Sequence, residues 1–143
     1  MNVVRTLYAV ATEGAALNFA RTGSLVPVVI FVDAGGGVGI VGIAGVDSRN
    51  AAKWAREEAR NRRAVAVAVA GEAWTAPVNG DWSTRARERP DRAEVVRVDV
   101  YTPTREYAWE APILRDGTPR LGPFTDAAVT IAGAWARLLR EAS

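Results

Sequence analysis

Apolar positions along this chain recur with two periods, and each period assigns an element. Residues 3–21 carry Val3, Leu7, Val10, Ala11, Leu17 and Phe19 at near-helical spacing, which predicts an amphipathic helix stopped by the glycine at position 23. Residues 26–32 form a short, continuous apolar run of strand length, closed by Asp33-Ala34-Gly35-Gly36-Gly37. Residues 38–46 continue as a glycine-rich strand that is apolar on both faces, and the Asp-x-Gly-Gly joint is hairpin chemistry because glycine reaches positive φ freely. Asp47 or Ser48 then caps a second helix to about Asn61, with Lys53/Glu57 and Glu58/Arg62 four apart, on neighbouring turns of one surface. Arg60, Arg62 and Arg63 crowd its C-terminal end, where the helix dipole favours cations.

The next stretch alternates alanine and valine from Ala64 to Ala70 and extends through Glu72 to Trp74. Valine on one face and alanine on the other describe a strand buried on both sides, its small face against a helix. Residues 75–92 read as loop, with Pro77, Asn79-Gly80 and Pro90. Val96, Val98 and Val100 then alternate with Arg97, Asp99 and Tyr101, which predicts one face in and one face wet. After the turn Thr102-Pro103-Thr104-Arg105, the residues Tyr107, Trp109, Ala111 and Ile113 form the inner row of a returning strand, opposed by Glu106 and Glu110. Asp116-Gly117 and two prolines mark another loop. Thr125 or Asp126 is expected to cap a last helix whose Ala128, Ile131, Trp135 and Leu138/Leu139 share one stripe. The order α-β-β-α-β-β-β-α, about five strands and three helices, predicts a single α+β domain over residues 1–143 with a mostly antiparallel sheet.

This element order resembles the Roadblock/LC7 fold and its profilin-like relatives over nearly the whole chain. The resemblance rests on order and length, without a diagnostic motif. It implies a small module that dimerises through a helix or a sheet edge and serves as a scaffold, and it carries no catalytic residue across.

Composition narrows the chemistry. The chain of 143 residues is 49% apolar and 24% charged, which is globular composition and excludes a disordered or fibrous chain. It has no Cys and no His, and every basic residue except Lys53 is arginine. Disulfides, Cys/His zinc sites, thiol nucleophiles, Ser-His-Asp triads and haem ligation by His are thereby excluded, as is a histidine pH switch. The arginine bias reads as the codon usage of a GC-rich genome. A net charge of +2 with a calculated pI of 9.5 follows from an almost flat titration curve, because no side chain titrates near neutrality, and does not indicate nucleic acid. From position 22 to 46 the only charge is Asp33, yet Pro27 and the glycines break the run, so two strands are expected there and no membrane helix. The N-terminus lacks the basic leader and cleavage site of a secretion signal, and a cytoplasmic protein is expected.

Four groups could carry function. Gly37-Val38-Gly39-Ile40-Val41-Gly42 matches G-x-G-x-x-G, but that fingerprint needs a helix immediately behind it, and strand residues surround these glycines. Trp82 lies in a polar loop with Arg85, Arg87, Arg89 and Arg92, a combination suited to a protein contact. Asp81, Glu88 and Asp91 in the same loop argue against a phosphate-binding stripe. Glu72 and Trp74, at the end of an apolar strand whose residues would desolvate the acid, form a possible ligand or acid site, with Arg97 the expected partner of Glu72. Lys53 could serve as an amine nucleophile but stands on a charged helix face beside Arg56 and Glu57. No catalytic residue, metal site or cofactor is assigned. The leading expectation is a non-enzymatic protein–protein module that associates with itself first and then with an unknown partner protein. A phage or mobile-element accessory or structural protein fits this description. A carboxylate-based metal- or ligand-binding domain or enzyme is the alternative, and weak nucleic-acid binding through the Arg/Trp loop is a third reading.

Overall fold

Residues on the central strands alternate between two apolar faces, so the sheet needs cover on both sides. The structure, a computed structural model, describes residues 2–75, 88, 91–129 and 133–140. Its elements are α1 (Val3–Thr22), β1 (Val28–Asp33), β2 (Val38–Gly42), α2 (Ser48–Asn61), β3 (Ala64–Thr75), β4 (Ala93–Tyr101), β5 (Glu106–Leu114), β6 (Arg120–Leu121) and β7 (Thr125–Asp126). They form one antiparallel sheet in the order β2-β1-β3-β4-β5-β6, with β7 also pairing to β5. The expected α+β domain is present, with two short strands more and one helix fewer among the described residues.

Both helices end where their sequences say. The Asn2 side chain accepts the Arg5 N–H at 3.1 Å, and Gly23, at φ +74°, returns its N–H to the Phe19 carbonyl, an αL stop that glycine adopts without strain. Asp47 caps α2 by accepting the Asn50 N–H at 2.9 Å, a bond to the charged form that holds its carboxyl below the usual range.

The layers fit by size. On one face, α1 sets Leu7 and Ala11 against Ala66, Ala68 and Ala70 of β3 and the valines of β4. The small strand face thus meets a large helix face. On the other face the sizes reverse: Ala52, Ala55 and Ala59 of α2 lie on Val29, Phe31 and Val67, so the helix backbone comes close to the sheet. The 22–46 segment is the hairpin β1–β2, and no helix among the described residues is long and apolar enough to cross a membrane.

Two expectations change. Thr125 and Asp126 do not cap a helix; they pair with Glu110 and Trp109 as β7, and the Ala127 N–H reaches the Ala108 carbonyl at 3.0 Å. A side chain able to cap is a local signal, whereas the outer edge of β5 offers unpaired backbone groups that strand pairing satisfies. Residues 133–139 are turns: Gly133 and Arg137 take φ +97° and +57°, which an α-helix cannot contain. The Arg56 guanidinium donates to the Ala134 carbonyl at 2.9 Å in place of a helical N–H. The apolar stripe still packs, with Leu138, Trp135 and Leu139 on the α2 face of the sheet; Ile131 lies outside the described residues. That cover overturns the wet face expected for β4, since Tyr101 is only 4% exposed, and burial pushes its phenol well above the usual range.

Candidate functional site

The sheet has two different edges. The β5 edge is covered by β6 and β7, whereas β2 has β1 on one side and, among the described residues, no strand on the other. Hydrogen-bond phase is set by the Asp33 N–H to the Gly37 carbonyl and the Ile43 N–H to the Pro27 carbonyl. In an antiparallel ladder this pairing alternates, so Val38, Ile40 and Gly42 turn their N–H and C=O groups outward. Their side chains share one face, where Val38 and Ile40 are 47% and 59% exposed, with Val26 beside Gly42 at 56%. No charged residue stands between positions 34 and 46, so the strand itself carries none of the lysines or inward charges that usually blunt a free edge. The hairpin is held in place by Asp33, whose Oδ1 accepts the N–H of Gly35 at 2.9 Å and of Gly37 at 2.8 Å, with Gly36 at φ +86° completing the turn.

Beside this edge, on the other face, α2 presents Trp54, Glu58 and Arg62 one turn apart. The Trp54 ring meets Phe31 edge-on at 5.8 Å. The Arg62 guanidinium lies 5.0 Å over the same ring and bonds Glu58 at 2.8 Å. Gly39 makes this possible, since a Cβ there would collide with the Arg62 guanidinium. The glycines of the G-x-G-x-x-G match therefore serve strand and side-chain packing: the match lies along β2, and the next helix starts only at Ser48.

The residues expected to form an acid site separate. Glu72 is level with Val96 across the β3–β4 ladder and Arg97 with Gly71, so Glu72 and Arg97 lie on opposite faces and the expected pair does not form. The reason is the period of two: neighbours on a strand cannot share a face. Glu72 instead accepts the Leu25 N–H at 3.2 Å and has Arg115 at 3.9 Å. Arg115 bonds Glu94 more closely, at 2.6 Å, which holds that carboxyl below its usual range. An arginine already stands where a cation would bind these acids, and no metal-capable group of three acids occurs among the described residues. Trp74 is exposed and carries Arg92 at 4.9 Å over its ring. Arg92 is the one member of the Arg/Trp loop that the structure places; Trp82, Arg85, Arg87 and Arg89 lie outside the described residues. Lys53 is exposed on α2.

Arg97 joins a different set. Its guanidinium bonds both Asp99 oxygens at 3.0–3.1 Å, Glu110 at 3.0 Å and the Ala128 carbonyl at 2.6 Å. Each of the three side chains keeps about a fifth of its surface, between 17% and 23%. Burial raises the Asp99 carboxyl above its ordinary value against the pull of Arg97, and Glu110 and Glu106 add to the rise. Arg97 and Asp99 border a cavity of about 230 Å³ with Val69, Ser48 and Trp135, and Glu72 lines the same cavity without pairing to Arg97. With its guanidinium committed to carboxylates and a carbonyl, Arg97 ties β4, β5 and the chain after β7 together. Sequence reading missed both this triad and the Trp54–Glu58–Arg62 stripe. The signal for the triad was present in the shared parity of Arg97 and Asp99. No protein-family model matches the chain, and no curated protein or solved structure matches it.

Proposed function

We propose that the chain is a non-enzymatic association module whose first partner is a second copy of itself, joined through β2. The observation that carries this reading is the uncharged edge at Val38, Ile40 and Gly42, with outward backbone groups and exposed apolar side chains. Two identical strands pair antiparallel about a two-fold axis, which makes the contact isologous and closed. Centring that axis on Ile40 sets Ile40 opposite its own copy and Val38 opposite Gly42, so the two isoleucines meet at the axis and each valine meets a glycine. The same axis runs the two α2 stripes antiparallel, bringing Arg62 of one copy toward Glu58 and Trp54 of the other, a match of charge and of cation with ring. The element order resembling Roadblock/LC7 modules supports association too, although its last helix is not formed among the described residues.

Light scattering on a size-exclusion column over a concentration series tests the reading. The wild type is expected to run as a dimer, and Ile40→Lys as a monomer whose melting temperature equals that of the wild type diluted to its monomer, because the side chain is exposed in the single chain. A loss of dimer affinity of at least about 100-fold, or about 2.8 kcal/mol, is expected. Trp74→Lys, away from this edge, should leave the dimer intact. A wild type that stays monomeric at millimolar concentration, or an Ile40→Lys variant that dimerises normally, would overturn the proposal.

A further inference from the structure

On the flank of α2 away from β2 lies a larger recess, of about 630 Å³, within the range of ordinary small-molecule sites. Its walls come from the end of α2, the start of β3, the β4–β5 turn and residues 138–140. Four arginines line it, Arg56, Arg60, Arg63 and Arg140, and among the described residues no carboxylate does. The remaining wall is apolar, chiefly Leu138, Leu139 and Pro103.

The sequence explains part of this cluster as helix-end cations answering the α2 dipole. That account covers Arg60 and Arg63 but not Arg140, which arrives from the far end of the chain. Arg56 is fixed by its bond to the Ala134 carbonyl, so it holds the wall in shape. Among the described residues the Arg140 side chain makes a single long contact, 3.4 Å to the Thr104 carbonyl, and is exposed. Arg63 adds an independent sign. It sits at φ +53°, the left-handed position after a helix that glycine fills best, and strain of this kind accumulates at functional sites. An arginine there gives up backbone comfort to place a guanidinium at the recess. Like charges brought together repel, no described carboxylate lines the recess to offset them, and an anion there relieves that repulsion. Guanidinium groups match phosphate and carboxylate oxygens in pairs.

We infer that this recess binds a small amphiphilic anion, a phosphate or carboxylate group carried on an apolar body. The arginines take the head, and Leu138, Leu139 and Pro103 cover the body.

Calorimetric titration of the full chain at low salt with octyl phosphate tests the site, with inorganic phosphate and octanol as its two halves. Octyl phosphate is expected to bind saturably, one per chain, and each half at least about tenfold more weakly. Arg63→Gly should raise the melting temperature while weakening octyl phosphate at least about tenfold, a divergence that a purely structural arginine would not produce. Arg140→Gln should weaken binding without moving the melting temperature. Vesicles of phosphatidylglycerol separate the sources of the head group: retention that Arg63→Gly abolishes names a lipid, and octyl phosphate binding without retention names a free small molecule. Absence of saturable octyl phosphate binding, or equal affinity in Arg63→Gly, would overturn the inference. The recess and the β2 edge lie on opposite flanks of α2, so a monomeric Ile40→Lys variant should bind octyl phosphate as the wild type does.

Discussion

Replacing Phe31 with alanine is expected to cost about 3–5 kcal/mol in unfolding free energy, as for other large-to-small core changes. The ring is 2% exposed and stands under α2, where the facing alanines at 52, 55 and 59 are too short to fill the vacated space. The cavity therefore stays open, which places the cost high in its range. The loss also reaches the β2 edge, because Trp54 and Arg62 both rest on this ring. Chemical denaturation followed by tryptophan fluorescence measures the first effect. The second appears as weaker self-association under conditions where the variant remains folded. Phe31→Leu should recover most of the stability and little of the ring contact, so its dimer affinity should stay below wild type. A Phe31→Ala variant within about 1 kcal/mol of wild type would mean that α2 collapses onto β1, contrary to the close packing described.

The second large effect concerns Arg97. Arg97→Met keeps the aliphatic stem and removes the charge, leaving Asp99 and Glu110 as diagonal neighbours on β4 and β5 with little solvent and no cation between them. Breaking a buried ion cluster by deleting one partner costs about 3–5 kcal/mol, and the fifth of their surface these groups retain places the expectation near about 3 kcal/mol. The pH dependence separates charge from packing. The folded Asp99 carboxyl already lies above its ordinary value through burial, and loss of Arg97 removes what pulls it down. A carboxyl whose folded pKa exceeds its unfolded one binds more protons when folded, so its contribution falls as pH rises through that window and returns on acidification. The deficit of Arg97→Met against wild type should accordingly shrink between about pH 7 and about pH 5. Urea unfolding at both values checks this. A deficit that does not change with pH would assign the role of Arg97 to packing alone.

Most elements of this fold could be read from local sequence because period and punctuation agree there. The helical spacing through Leu7, Ala11 and Phe19, the Asp47 cap, the Asp33 turn and the Ala/Val alternation of β3 each settle an element within a few residues of themselves. Alternation also assigned faces: Val96, Val98 and Val100 do pack inward against α1. Local pattern failed where distant backbone competed. Thr125 has capping chemistry, but the β5 edge supplied hydrogen bonds that a helix end does not, and the stripe at Trp135 and Leu138 packs from turns whose carbonyls Arg56 satisfies. The acid site failed for a simpler reason. Glu72 and Arg97 are correctly placed on adjacent strands, yet a one-residue difference in register puts them on opposite faces.

The sequence alone determined the two helices and the five longer strands, the inward faces of α1, β3 and β4, and that chemistry depending on His or Cys is absent. These follow from side-chain period and residue type, which are local properties. Only the tertiary structure decided that β2 is the free edge, that Arg62 crosses Gly39 to reach Phe31, and that arginines from positions 56, 60, 63 and 140 meet at one recess. Those facts depend on strand order and on where the chain returns, and long-range backbone pairing sets both.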